Sequence, residues 1–218
     1  MTGRAAAEPS RAVAAWTASP GSRDAVRPSA PAERLVVIGG SAGGPAALLR
    51  LLPALDPELD AAIAIVIHVG ADSPDLLPSI LEATSALPVK LATERLPVVS
   101  GIVCIAPSGY HLLVGQDRCF ALSVDEKVCF SRPSIDVLFK SAGEAYRGAV
   151  VGVLLTGASS DGAQGLKRIR ELGGLALIQE PAEAEVDTMP RAALEQAGAD
   201  LCAPLAALAA RINGFGRR

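Results

Sequence analysis

Three stretches, LVVIGG (35–40), AAIAIVI (61–67) and GAVVGVLL (148–155), are apolar at nearly every position and rich in β-branched residues. Each is the length of a strand, and none approaches the roughly 18 apolar residues of a membrane span. A strand apolar on both of its alternating faces must be covered on both sides, which is the condition of a parallel sheet flanked by helices. This constraint limits the chain to an α/β architecture.

The segments between these runs carry helical spacing. PAALLRLLPAL begins at Pro45, where a first-turn proline is tolerated, and Pro53 must end or kink it. A strand is expected over 62–69. SPDLLPSILEATS then offers Ser73 as an N-cap ahead of Pro74, with Leu76, Leu77, Ile80 and Leu81 on one apolar face. Short strands follow near Val89 and over 102–106. YHLLVGQDRCFALSV alternates across a G-Q-D-R turn, which predicts an antiparallel β-hairpin at about 110–124. PSIDVLFKSAGEAY and DGAQGLKRIRELGG read as helices, the second stopped by Gly173 and Gly174. A strand over 175–179 and helices over 189–196 and 205–212 complete the series. The expected fold is doubly wound: a mostly parallel sheet, helices on both faces, and one hairpin.

The first 33 residues break this pattern. Built from Ala, Pro, Ser and Arg without a hydrophobic period, 1–33 reads as a disordered tail, and 34–213 as the folded domain. The longest apolar run of the tail, AVAAW, is too short for a secretory signal, and Glu8, Asp24 and Glu33 argue against an organelle-targeting peptide. A net charge of −3 and few aromatics give no basic face for nucleic acid. The four cysteines, Cys104, Cys119, Cys129 and Cys202, have no C-x-x-C spacing, and two histidines are too few for a zinc pattern. They read as reduced core thiols of a cytoplasmic protein, and neither metal nor cofactor is expected.

In a sheet of this kind, chemistry gathers at the carboxyl ends of the strands. Ser41 follows the first strand in GGSAGG, which fits both a dinucleotide fingerprint, with Ser41 in place of its second glycine, and the G-x-S-x-G elbow of a serine nucleophile. His68 closes the second strand. Asp161 lies in the glycine-rich turn TGASSDG (156–162) after a third. A serine hydroxyl is a poor nucleophile until an imidazole accepts its proton, and the imidazole needs a carboxylate on its other nitrogen. The three strand ends supply those groups in the order Ser41, His68, Asp161, which is not the order of the α/β-hydrolases, where histidine comes last.

The blocks VVIGGSAGG, IVIHVGADSPDLLPSIL, GIVCIAPSGYHLLV, SRPSIDVLFKSA, GVLLTGASSDGAQGLKRIRELGG and MPRAALEQAGAD resemble, in order and approximate spacing over 34–212, the catalytic domain of chemotaxis protein-glutamate methylesterases of the CheB family. The resemblance implies a serine esterase that hydrolyses glutamate γ-methyl esters on the cytoplasmic helical bundles of chemoreceptors and releases methanol, in many members with glutamine deamidation as well. It assigns the nucleophile to Ser41, the base to His68 and the orienting carboxylate to Asp161. Should another carboxylate serve His68 instead, Asp136 is the next to consider. His111 receives no catalytic role and is expected to pack or hydrogen-bond near the hairpin. The backbone N–H of Ala42, after the serine, is the expected oxyanion donor. Ala42, TGAS and HVG stand where the family usually has Ser or Thr, TGMG and His-Met-Pro, which bears on substrate fit. Thirty-three residues cannot form the receiver domain common in the family, so control by a separate response regulator, or none, is implied. Two other readings remain open on residues alone: a regulatory or binding module with decayed catalysis, and a dinucleotide-binding oxidoreductase.

Overall fold

The computed structural model of the 218-residue chain describes residues 30–68 and 76–216. Seven strands, β1 (Leu35–Gly40), β2 (Ala62–Ile67), β3 (Val89–Leu91), β4 (Val103–Ile105), β7 (Val150–Leu154), β8 (Leu175–Gln179) and β9 (Leu201–Ala203), form one sheet in the order β3-β4-β2-β1-β7-β8-β9. Every pairing in it is parallel. The hairpin β5 (His111–Val114) and β6 (Phe120–Ser123) forms a separate antiparallel pair, with Gly115 to Cys119 at its turn.

Side chains alternate across a strand, and β1 shows why its run had to be apolar throughout. Leu35 and Val37 enter a core with Ile135, Leu138, Phe139, Leu166, Ile169 and Met189, while Val36 and Ile38 enter a second core with Leu48, Leu51, Leu81, Leu205, Leu208 and Ile212. The first core therefore lies under α3 (Ile135–Tyr146), α4 (Ala163–Glu171), α5 (Thr188–Gln196) and the hairpin; the second lies under α1 (Gly44–Leu51), α2 (Leu77–Glu82) and α6 (Leu205–Phe215). Both faces are closed, as the doubly wound reading requires. The chain turns to opposite sides of the sheet at β1 and β7, so the carboxyl ends of these two neighbours flank a crevice. No helix among the described residues is long and apolar enough to cross a membrane.

Three expectations change. The cysteines are free, but only Cys104 is a core thiol; Cys129 and Cys202 are exposed and Cys119 is half-buried, because the hairpin, the irregular segment 124–134 and the edge strand β9 leave them no covering layer. Helix α2 buries Leu81, while Leu76 and Ile80 are more than half exposed. With only six residues, this helix seats the 77/81 row and turns the 76/80 row outward. Strand β2 ends at Ile67, and Ser73, the expected cap, lies outside the described residues, as does most of the tail. Strand β9, three residues long, has no counterpart in the sequence reading.

Candidate active site

Ser41 leaves β1 on a tight elbow. Its N–H donates to Thr156 O (2.9 Å), its carbonyl accepts from Gly44 N (2.8 Å), and Gly43 takes φ +75°, a backbone conformation most side chains resist, before α1 begins at Gly44. The Thr156 hydroxyl lies within hydrogen-bond reach of the Ala42 (2.9 Å) and Val186 (3.1 Å) carbonyls and accepts from Val186 N (2.8 Å), tying the elbow to the 180s loop. Ala42 is exposed, and its N–H makes no hydrogen bond among the described residues.

His68 is the residue immediately beyond β2, the neighbour of β1, and its N–H donates to Gly40 O (3.1 Å). Parallel strands about 4.8 Å apart thus carry Ser41 and His68 at adjacent tips. Its Nε2 lies 2.8 Å from Asp161 Oδ2, and its Nδ1 lies 3.5 Å from Ser131 Oγ. With Nε2 committed to the carboxylate, Nδ1 is the nitrogen left to take a proton. No hydrogen bond joins Ser41 Oγ to His68 among the described residues, a looseness common at such sites before substrate binds.

Asp161 is fully buried. Besides His68 it accepts from Ser134 Oγ (2.9 Å), Ile135 N (2.7 Å) and Asp136 N (3.0 Å), all at the start of α3. Burial pushes its pKa up, but the hydrogen bonds from His68, Asp136, Ile135 and Ser134 outweigh that and hold it below the usual carboxylate value. Asp136 does the reverse service: its Oδ1 accepts from Gly162 N (3.0 Å) and Gly165 N (2.6 Å) at the start of α4. Each helix thus begins on a carboxylate supplied from the start of the other. Burial, reinforced by the Asp161 charge, raises the Asp136 pKa against the opposing pull of the two amides and Lys140. Gly39 makes this approach feasible, since a Cβ there would run into the Ile135 side chain.

His111, expected near the hairpin, is buried at the start of β5; its Nδ1 accepts from Ser134 N (3.1 Å) and its Nε2 faces Glu126 O (3.0 Å). The acceptor role of Nδ1 puts the ring proton on Nε2. His111 thereby joins the strap 124–134 to the residue that holds Asp161. The strap walls a cleft of about 250 Å³ beside His68, lined also by Lys127, Phe130, Ser131, Arg132 and Gly109.

Sequence reasoning singled out Ser41, Ala42, His68 and Asp161, and these gather on the carboxyl side of the sheet. It missed Ser131, Ser134, Lys127 and Arg132, which sit in a segment without periodicity. It also missed that Cys129, Asp136 and Asp161 bring ligand-type atoms within 4.8 Å of one another. The carboxylates there already accept two and four hydrogen bonds, which leaves them ill suited to a cation.

A parallel doubly wound sheet with a His–carboxylate pair beside a serine elbow, all at strand tips, defines an α/β domain of the serine-hydrolase type. Residues 36–212 match the family description "CheB methylesterase". The crystal structure of the Thermotoga maritima CheB methylesterase catalytic domain superposes with a TM-score of 0.80 at 30% identity, covering 84% of this chain and 98% of that one. The chain belongs to the CheB methylesterase family. A Cupriavidus pinatubonensis protein named protein-glutamate methylesterase/protein-glutamine glutaminase 1 is 43% identical over 182 residues, and this chain spans 53% of its length. A Leptospira interrogans protein that bears the same name provisionally is 49% identical over 165 residues, 76% of this chain and 86% of that one.

Proposed function

We propose that the chain is a serine protein-glutamate methylesterase acting on methylated, chemoreceptor-like helical segments at the cytoplasmic side of the membrane. The observation that carries the reading is the His68 Nε2–Asp161 Oδ2 pair at 2.8 Å, on the strand tip next to Ser41. His68 Nδ1 takes the proton of Ser41 Oγ as that oxygen bonds to the γ-carbonyl carbon of the ester. The carbonyl oxygen becomes an oxyanion facing the Ala42 N–H at the head of α1, where the helix dipole adds to the stabilisation. Collapse breaks the bond to the methoxy oxygen, which leaves as methanol with the proton from His68. Water, deprotonated by His68, then attacks the acyl-serine, and the free glutamate and Ser41 hydroxyl are restored. Asp161 stays ionised throughout and holds the imidazolium. An amide in place of the ester follows the same steps with ammonia leaving, which is the glutaminase activity carried in the names of the relatives.

Two features support this over a dinucleotide-binding reading. The elbow bears a side chain at the position where a fingerprint glycine would let a pyrophosphate approach, and a Cβ on Gly157 would come within 3.0 Å of Ser41 Cβ, so the space above the elbow is already narrow. In the test, Ser41→Ala is expected to abolish methanol release from a methylated receptor fragment while the melting temperature stays unchanged, because Ser41 is only partly buried and its hydroxyl makes no hydrogen bond among the described residues. Turnover near that of the wild type would refute the assignment.

A further inference from the structure

The strap beside His68 ends in a feature the esterase chemistry does not use. Val128 and Ser131 exchange both backbone hydrogen bonds (3.2 and 2.9 Å), which closes a two-residue turn at Cys129 and Phe130. Both residues have positive φ, 49° and 62°, the sign that a type I′ turn demands and that Asn-Gly or Gly-Gly ordinarily supplies. A branch-free glycine would relieve this backbone; an aromatic is an expensive choice. Phe130 is also 97% exposed, more than any other large apolar side chain described.

This exposure is imposed by a braced strap. Arg132 Nη1 donates to the carbonyls of Val124 (2.6 Å) and Asp125 (2.9 Å), His111 bonds the Glu126 carbonyl, and the Ser134 N–H bonds His111. The aromatic is therefore held out at the rim of the same cleft that contains His68 and Ser131. Among the described residues, Lys127 and Arg132 line that cleft and no carboxylate does, and Arg132 Nε is buried with no acceptor. Tyr110 (43%) and Val124 (66%) are exposed on the adjoining hairpin ends.

We propose that Phe130 is the anchor by which this domain docks the polypeptide that carries the ester, inserting between apolar side chains of an acidic helical segment while Lys127 and Arg132 attract its carboxylates. The choice of occupant rests on the esterase reading above and on charge. A segment bearing glutamyl esters bears glutamates once they are hydrolysed, and the cations stand where such groups would lie beside the reacting one. A rigid aromatic buried on binding is the usual core of a hot spot, with charges at its rim.

The test compares two substrates. On a methylated receptor cytoplasmic fragment, Phe130→Ala and Phe130→Gly should lower kcat/KM about tenfold or more, chiefly through KM, as expected for losing one buried aromatic contact. On p-nitrophenyl acetate, which is too small to reach the rim, both variants should match the wild type. Phe130→Gly should also melt at or above the wild-type temperature, because glycine suits the positive φ. Equal losses on both substrates, or no loss on the protein substrate, would overturn the proposal. If the wild type itself released no methanol from the fragment, the esterase reading would fall first and the docking proposal with it.

Discussion

Asp161 serves four donors with two oxygens: Oδ2 faces His68 and the Ile135 N–H, and Oδ1 faces the Ser134 hydroxyl and the Asp136 N–H. An amide cannot replace it in either orientation, because an NH2 group would point at a backbone N–H on whichever side it fell. Asp161→Asn is therefore expected to lower methanol release by about 10⁴-fold, as when a triad acid is neutralised, and to lower the melting temperature too. Activity within a few-fold of the wild type would mean that another group orients His68. The linkage has a definite sign. A carboxylate whose folded pKa is depressed contributes stability that is present above its unfolded value, about 3.9, and is lost as pH falls through the folded pKa. Ser41, His68 and Asp161 were legible because strand ends in a parallel sheet gather chemistry, and glycine-rich turns mark where strands stop. The other three donors that hold Asp161 were not, since two of them are backbone N–H groups, which every residue possesses. His111 was legible only as a histidine that packs or hydrogen-bonds near the hairpin; that its partner is the Ser134 N–H depends on a strap that no period announces.

Between elements, the exchange of carboxylates joins α3 and α4 at their N-termini. Both Gly162 and Gly165 donate to the same oxygen, Oδ1 of Asp136, so an asparagine there can keep both bonds through its amide oxygen. Asp136→Asn should stay within about 1 kcal/mol of the wild type, whereas Asp136→Ala, which orphans two buried N–H groups, should cost about 2–4 kcal/mol in chemical denaturation. Equal effects of the two would show that charge rather than hydrogen bonding matters at this position. A carboxylate with a raised folded pKa favours the fold as pH drops, so wild-type stability gains from Asp136 as pH falls from the raised value toward about 3.9. Asp136→Asn should lack that gain. The sequence showed both helices, through their leucine and isoleucine spacing, but not the exchange. An aspartate in the first turn reads as an ordinary N-terminal acid, and its service to another helix is a tertiary fact.

For the whole molecule, the parallel sheet and its two covered faces were legible from three continuous apolar runs, and the hairpin from its alternation. The edge strand β9 escaped because LCA is too short to show a period and is only partly buried. The start of the folded unit is set by tertiary contacts as well. Ala32, on the tail side of the expected boundary at 33, is 3% exposed, donates its N–H to Val98 O (2.8 Å) and accepts from Arg118 Nη1 (3.1 Å). A chain begun at Arg34 should melt about 4–8 °C below one begun at Ala30, from two lost hydrogen bonds worth about 1 kcal/mol each. Identical melting curves would show that Ala32 adds nothing to the fold.

The sheet order also carries a consequence for the chain as it is being made. Strand β1 sits at the centre between β2, its near successor, and β7, which is more than 100 residues downstream. A ribosome that has released Ser41 and His68 has yet to make the strand that seals one side of β1 and the turn that carries Asp161. Until then, one flank of a strand that ends up wholly buried is an unpaired edge, open to other chains and inviting chaperones, while the imidazole has no carboxylate partner. The carboxylate partner of His68 and the closing of the open flank of β1 therefore arrive together, with the insertion of a single late strand and the turn that follows it.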